Sequence, residues 1–265
     1  MSKIRVMVTG ACGKMGREVV KAVSAQEGMQ VVAAVDRTGC GDDIGKICGL
    51  GEMGVKVLPN VDEAIKESKP DVMVDFTVAE AAAANVDRAI ANGVRWVVGT
   101  TGMPRATIDA LMEKSSKAGL GGLLAPNFAI GAVLMMHMGR IAAKYMPDCE
   151  IIELHHDKKL DAPSGTAKAT AALVAAAGGH SRASAGDEPP ARGEEFDGIR
   201  VHSVRLQGLV AHQEVIFGGL GQVLTIRHDS LGRESFMPGV VLAVRKVMDL
   251  DRPVIGLDKL MGLDF

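Results

Sequence analysis

Aromatic side chains are scarce, at 3% of 265 residues, and Trp96 and Tyr145 are the single members of their kinds. The core must then be built from Val, Ile, Leu, Met and Ala, and the 47% hydrophobic content supplies enough of them. Excess positive charge is lacking too: 30 Lys and Arg stand against 32 Asp and Glu. Such a balance gives no footprint for a phosphate backbone, so nucleic-acid partners are not expected. No C-x-x-C pair occurs among Cys12, Cys40, Cys48 and Cys149, which argues against zinc and redox motifs. Scattered thiols and the lack of a secretory signal point to a cytoplasmic protein. A membrane span needs about 20 apolar residues with little interruption. The most apolar window, Leu120–Met138, is broken by Pro126, Asn127 and several glycines; it reads as a buried loop followed by a helix, and no membrane partner is expected.

What is present is a series of short apolar runs, each ending in small or polar residues. They are IRVMVTG (Ile4–Gly10), MQVVAAVD (Met29–Asp36), DVMVDF (Asp71–Phe76), RWVVGTTG (Arg95–Gly102) and GLLAPN (Gly122–Asn127). Helical patterns lie between them, one from about Arg105 to Ala118. Strands alternating with helices predict a doubly wound parallel sheet of the Rossmann type. After Met146 the pattern changes. DCEIIELHH reads as a strand and SGTAKATAALVAAA as a helix. VHSVRLQG, HQEVIFGG and QVLTIRHDS alternate at period two, predicting a mostly antiparallel sheet in an α+β domain. The polar stretch His180–Gly198 reads as a mobile surface loop. The last helix runs through GVVLAVRKVMDL. The expected fold is α/β with two domains. Residues 1–127 make the nucleotide-type half and residues 128–238 the α+β half.

Gly10, Gly13 and Gly16 lie between the first strand and its helix, in VTGACGKMGREVV. Glycines there allow a tight turn and close approach to a pyrophosphate at a helix N-terminus. Asp36, 20 residues past Gly16 at the end of the second strand, can accept hydrogen bonds from a ribose. The spacing G-x-x-G-x-x-G is not the commoner G-x-G-x-x-G, so the strand, helix, second strand and acid carry the reading together. Lys14 and Arg37 are cations placed to meet a 2′-phosphate, whereas Asp36 favours its absence; NADH and NADPH both stay open. Gly99, Thr100 and Thr101, then Ala125, Pro126, Asn127 and Phe128, follow later strands, where ligands of open sheets bind.

The densest chemistry is ELHHDKKLDAPSGTA, Glu153–Ala167. In a regular strand Ile151, Glu153 and His155 share one face while Ile152, Leu154 and His156 share the other. Neighbouring histidines then point apart, which disfavours a shared metal, and no metal is expected. Histidine suits proton transfer near neutrality, with an ordinary pKa of about 6.5. Lys159 adds a compact cation. Pro163, Ser164, Gly165 and Thr166 read as a capped helix start whose N–H groups can receive a carboxylate.

This run resembles the E-x-H-H-x-x-K-x-D-A-P-S-G-T-A signature of the dihydrodipicolinate reductase family, also called 4-hydroxy-tetrahydrodipicolinate reductase. GACGKMGR, DFT, GTTG, APNFAIG and a late R-E-S-F-x-x-G fall in the family's order along nearly the whole chain. The resemblance implies hydride transfer from NADH or NADPH to a cyclic, imine-bearing dicarboxylate in lysine and diaminopimelate biosynthesis. It implies His155 as proton donor, with Lys159 as second catalytic group. His156, Gly165 and Thr166, with the capping Ser164, are implied as substrate contacts. Gly10, Ala11, Cys12, Gly13, Lys14, Met15, Asp36, Gly99–Thr101 and Ala125–Phe128 are implied as cofactor contacts, and Arg37 joins them from its place directly after Asp36. It also implies that 239–265 returns to complete the dinucleotide-binding domain of residues 1–127, and that residues 128–238 bind substrate and build a homotetramer on the antiparallel sheet. Ala129 stands where many members have Ser.

Other classes fit less well. A short-chain dehydrogenase needs Tyr-x-x-x-Lys, and Tyr145 is followed by Cys149 at the lysine position. A semialdehyde dehydrogenase needs a nucleophilic Cys, and Cys149 has no basic neighbour. A related amine-oxidising enzyme, such as a diaminopentanoate dehydrogenase, need not hold two carboxylates. A cofactor-sensing regulator has no use for His155 and Lys159.

Overall fold

The computed structural model describes residues 3–182 and 190–263. The chain divides into two compact units, one of Met1–Phe128 with Phe236–Phe265 and the other of Ala129–Ser235.

The first unit is built on β1 (Ile4–Thr9), β2 (Met29–Val35), β3 (Val57–Leu58), β4 (Val72–Asp75), β5 (Arg95–Val98) and β6 (Gly122–Leu124). A seventh strand, Pro253–Ile255, comes from the far end of the chain and is β12, because five strands of the second unit intervene. The sheet order is β12-β6-β5-β4-β1-β2-β3, and every pairing is parallel. These strands read as near-continuous apolar runs because helices cover both faces of such a sheet. Helix α1 (Lys14–Ser24) buries Gly16, Val19, Val20 and Val23 on one stripe. α2 (Ile44–Cys48), α3 (Val61–Ser68), α4 (Ala79–Ala91) and α5 (Arg105–Lys117) follow. Met7, Met73, Val86, Trp96 and Leu111 meet in one core cluster. The indole N–H of Trp96 donates to Ser115 Oγ at 3.0 Å, so the one large ring is satisfied inside. Chain direction across the sheet reverses between β1 and β4, which opens a crevice at their carboxyl ends.

The second unit holds α6 (Ile130–Ala143), β7 (Asp148–His155), α7 (Gly165–Ala176), β8 (Glu194–Phe196), β9 (Ile199–Arg205), β10 (Ala211–Gly219) and β11 (Gln222–Ser230). The sheet order is β11-β10-β7-β9-β8; only β7 and β9 run parallel. Met135 of α6 and Ala167, Ala171 and Val174 of α7 pack with Ile151, Val201, Val215 and Phe217 from the strands. Alanines in α7 let its backbone come close to the sheet. The period-two patterns thus give the predicted, mostly antiparallel sheet.

Three features differ from the sequence reading. β3 and β12 have two and three residues, too few for a periodicity to show. The stretch His180–Gly198 is not all loop: Pro190–Arg192 form a 3-10 turn and Glu194–Phe196 pair with Ile199–Val201 as an edge hairpin. Residues 183–189 of that stretch lie outside the described residues. The last predicted helix is α8 (Met237–Lys246) followed by a 3-10 turn, Val247–Asp249, and α9 (Asp258–Met261) comes after it. Among the described residues no helix is long and apolar enough to cross a membrane.

Candidate active site

At the end of β1, Gly10 takes a φ of +72°, and a Cβ there would lie 2.7 Å from the Phe76 carbonyl oxygen. A side chain is thus disfavoured twice, by conformation and by space. Gly16 sits so close to the loop that its Cβ would come within 2.0 Å of Gly10 O. The N–H groups of Gly10 and Ala11 both donate to Val35 O, at 2.9 and 3.2 Å. The Cys12 N–H donates to Asp36 Oδ2 at 2.9 Å, and Asp36 Oδ1 accepts from the Thr38 N–H and hydroxyl, both at 3.0 Å. The loop is therefore fixed to the end of β2 by its own backbone. Lys14 and Met15 open α1, which has no side-chain cap at Gly13 and no acid in its first turn. That leaves the positive end of the helix for an anion. A cavity of about 500 Å³ is lined by Gly10, Gly13, Asp36, Arg37, Thr77 and Arg88, among others. The site fits a dinucleotide: the first N–H groups of α1 for the pyrophosphate and an acid for the ribose. Arg37 lines the same cavity; Lys14 is exposed at the helix start.

Further along the carboxyl edge, Gly99–Thr101 follow β5 and Ala125–Phe128 follow β6. Asp75, wholly buried at the end of β4, organises this edge. Its Oδ2 accepts from Thr9 Oγ1 at 2.6 Å and Asn85 Nδ2 at 2.8 Å. Its Oδ1 accepts from the Thr77 N–H at 3.0 Å, Thr77 Oγ1 at 2.8 Å and Thr100 Oγ1 at 2.9 Å. The Thr100 hydroxyl is thus turned inward, towards Asp75. Phe128 is likewise buried, its ring 5.7 Å from that of Phe76. Thr101 and Pro126 are exposed.

In the second unit the strand alternation holds: Ile151, Glu153 and His155 follow one another on the face that α6 and α7 cover. The Glu153 side chain has no exposure, and that of His155 keeps 14%. Glu153 Oε2 meets His155 Nδ1 at 2.5 Å and Arg205 Nη1 at 2.9 Å. Glu153 Oε1 accepts from Arg205 Nη2 at 2.7 Å and from the Ser164 N–H at 3.2 Å. Burial alone would push this carboxyl up; hydrogen bonds from His155, Arg205 and Ser203 outweigh it and hold the group at about 2. An ionised carboxylate only accepts, so His155 Nδ1 carries its hydrogen toward Glu153 and Nε2 is the nitrogen left for chemistry.

The same shift predicts acid sensitivity. A carboxyl ordinarily near 4.5 and held at about 2 in the fold stabilises the native state above pH 4.5. That stability is lost as pH falls towards 2, and its size is about 3 kcal/mol. Urea titrations at pH 6 and pH 3 should show the wild type losing more stability than Glu153→Gln over that interval. Equal losses would contradict the assignment.

His156, next along, is exposed. Lys159 Nζ pairs with both Asp161 oxygens, at 2.7 and 2.9 Å, and this hydrogen bond leads in lowering the Asp161 carboxyl. Ser164 is the N-cap of α7: its Oγ accepts from the Ala167 N–H at 3.1 Å and its side chain is buried. Its oxygen thus closes the helix end, as the sequence reading of a capped start expects. Gly165 has open space where a Cβ would stand, so the helix end is uncovered. No acid lies in the first turn of α7. Cys149 is buried and its thiol is pushed up to about 11, by burial first and then by Asp148 and Glu150; this is no nucleophile. Among the described residues no group of three or more His, Cys, Asp or Glu is placed to hold a metal ion.

Sequence reasoning passed over Glu153, Arg205, Asp161 and Asp75. Glu153 had a visible signal, a charge in line with Ile151 on an alternating strand. Arg205 had none, since its partner lies 52 residues away.

Sequence models of the dihydrodipicolinate reductase family match the chain in two parts, the family's N-terminus over residues 4–128 and its C-terminus over residues 131–261. The 4-hydroxy-tetrahydrodipicolinate reductase of Moorella thermoacetica is 49% identical over 264 residues, covering 98% of this chain and 99% of that protein. The solved dihydrodipicolinate reductase from Paenisporosarcina sp. TG-14, with dipicolinate bound, gives a TM-score of 0.86 at 42% identity and covers 97% of this chain and 99% of its own. An amine dehydrogenase from Mycobacterium smegmatis gives 0.71 at 15% identity, covering 97% of this chain and 96% of its own; that is likeness of fold alone. With both halves matched in order and nearly half the residues shared along the whole length, the chain belongs to the dihydrodipicolinate reductase family.

Proposed function

We infer that the protein reduces 4-hydroxy-tetrahydrodipicolinate to tetrahydrodipicolinate, using NADH or NADPH, in lysine and diaminopimelate biosynthesis. The observation that carries the site chemistry is that one buried carboxylate, Glu153, holds both the His155 ring and the amide of the residue that caps α7. A proton-transfer group and a helix end suited to a carboxylate are thus fixed in one frame. Relatives named for this reaction, one solved with a dicarboxylate bound, support the reading.

Bound cofactor supplies the hydride. The chain's own residues then have three tasks. The Gly10–Met15 loop and the start of α1 hold the pyrophosphate, with Asp36 towards the ribose and Arg37 at the same cavity. Gly165 and Thr166 offer the N–H groups of a 12-residue helix to a substrate carboxylate, with His156 beside them as a further donor. Hydride addition leaves negative charge on the substrate, and protonated His155 quenches it through Nε2. Lys159, released from Asp161 by a substrate carboxylate competing for it, is the second cation. Reacting atoms must come within about 3–3.5 Å, the nicotinamide ring of the substrate carbon that takes the hydride and His155 Nε2 of the substrate atom that takes the proton.

Mixing the protein with either nicotinamide and freshly condensed aspartate semialdehyde and pyruvate should bleach the reduced-cofactor absorbance. No loss with NADH or with NADPH would overturn the reading. A cytoplasmic homotetramer joined through the second unit's sheet is the assembly we expect, and a monomer in sedimentation at micromolar concentration would contradict it.

A further inference from the structure

We propose that Glu153, clamped by Arg205, is a positioning residue for His155: it sets which ring nitrogen carries the hydrogen and fixes the ring relative to the substrate end of α7. The proposal rests on His155 being the proton donor.

A wholly buried carboxylate is costly unless paired and fully hydrogen-bonded. Here both oxygens are engaged, and three of the donors lead to the site. His155 Nδ1 is the reacting ring's own second nitrogen, and the Ser164 N–H is the first step of the substrate helix. The third, Arg205, reaches Glu153 with both terminal nitrogens and donates from Nη2 to Asp161 O at 2.7 Å and from Nη1 to Val204 O at 2.8 Å. Asp161 in turn holds Lys159. Arg205 is the register partner of His155 on the neighbouring strand β9, and its guanidinium and the ring meet at the same carboxylate oxygen, Glu153 Oε2. The chain Arg205–Glu153–His155 therefore reaches both catalytic groups, the second through Asp161.

Stability alone does not account for this. A buried ion pair is commonly no better than apolar side chains of the same volume, and the neighbours on this strand face are Cys149 and Ile151. What an apolar residue cannot do is hold Nδ1–H and leave Nε2 for the substrate.

In Glu153→Gln the two Arg205 nitrogens claim the amide oxygen, so the amide NH₂ faces His155. Nδ1 must then accept, and the neutral ring carries its hydrogen on Nε2. We expect kcat to fall about 10- to 100-fold, with the KM for the dicarboxylate and the NADH dissociation constant changed by less than about threefold. The limb of the kcat pH profile that belongs to His155 should move, and Glu153→Asp should recover part of the loss. A purely structural role would move neither the profile nor the tautomer. Nitrogen-15 NMR of histidine-labelled wild-type protein supplies the test that needs no variant: neutral His155 should show its hydrogen on Nδ1. Finding it on Nε2 overturns the proposal, as does wild-type kcat and pH profile in a folded Glu153→Gln. His155→Gln separates the two levels. If that variant is crippled while Glu153→Gln is fully active, only the positioning role fails. If His155→Gln itself keeps full turnover, the donor assignment fails and the positioning role falls with it.

Discussion

Replacing His155 by glutamine lowers kcat by roughly two to four orders of magnitude and leaves the NADH dissociation constant unchanged. Glutamine fills nearly the same space and can still hydrogen-bond Glu153, so the strand end should keep its shape. It cannot carry the proton that the reduced substrate needs. The cofactor loop and Asp36 belong to the first unit and His155 to the second, so affinity for the dinucleotide has no reason to follow turnover. Steady-state rates and isothermal titration on the same preparation check both halves. Parallel loss of NADH binding would contradict the assigned role, because a proton donor acts on the transition state and not on the cofactor's ground-state binding.

The second large effect is on stability. Asp75→Ala strips the acceptor from Thr9, Asn85, Thr77 and Thr100 at once, within a fully buried site. Each orphaned buried donor costs about 1–3 kcal/mol, partly relieved when hydroxyls turn to other partners. A net loss of about 4 kcal/mol is expected, at the upper end for single substitutions. Trp96, the one tryptophan, sits in β5 beside β4, so its fluorescence follows the unfolding of this unit without interference from the other. A urea midpoint within error of wild type would show that the five donor groups of these four residues find other partners. Asp75→Asn keeps one acceptor and should fall between the two.

The parallel sheet was legible because strands covered on both faces leave continuous apolar runs, and glycine punctuation marks their carboxyl ends. The strand ends at Val8-Thr9-Gly10 and Val97-Val98-Gly99 are read correctly from runs of seven and eight letters. β3 and β12 were not, since their assignment depends on a neighbour far along the chain and not on their own pattern. The site divides in the same way. His155, Lys159 and the capped start of α7 form a dense local cluster that one segment reveals. The parts that hold them still are long-range: Arg205 reaches Glu153 only because β9 runs parallel to β7 with His155 opposite Arg205, and Asp75 gathers donors from three separate segments. Side-chain direction was the other gap. Thr100 has the right chemistry for a ligand, yet its hydroxyl serves a buried carboxylate, whereas the cap role of Ser164 could be read from its place before the helix.

The pairing of β12 with β6 joins Pro253 to Gly122, 131 residues apart in the chain. At translation rates of about 5–20 residues per second, those two segments leave the ribosome on the order of ten seconds apart. For that interval β6 is an open edge, with backbone groups that nothing yet pairs, carrying Leu123 and Leu124. The second unit, Ala129–Ser235, is synthesised entirely within the same wait. The unit that emerges earlier is thus completed later, and a chain stopped short of residue 253 carries an unpaired β6 edge among its ribosome-bound neighbours.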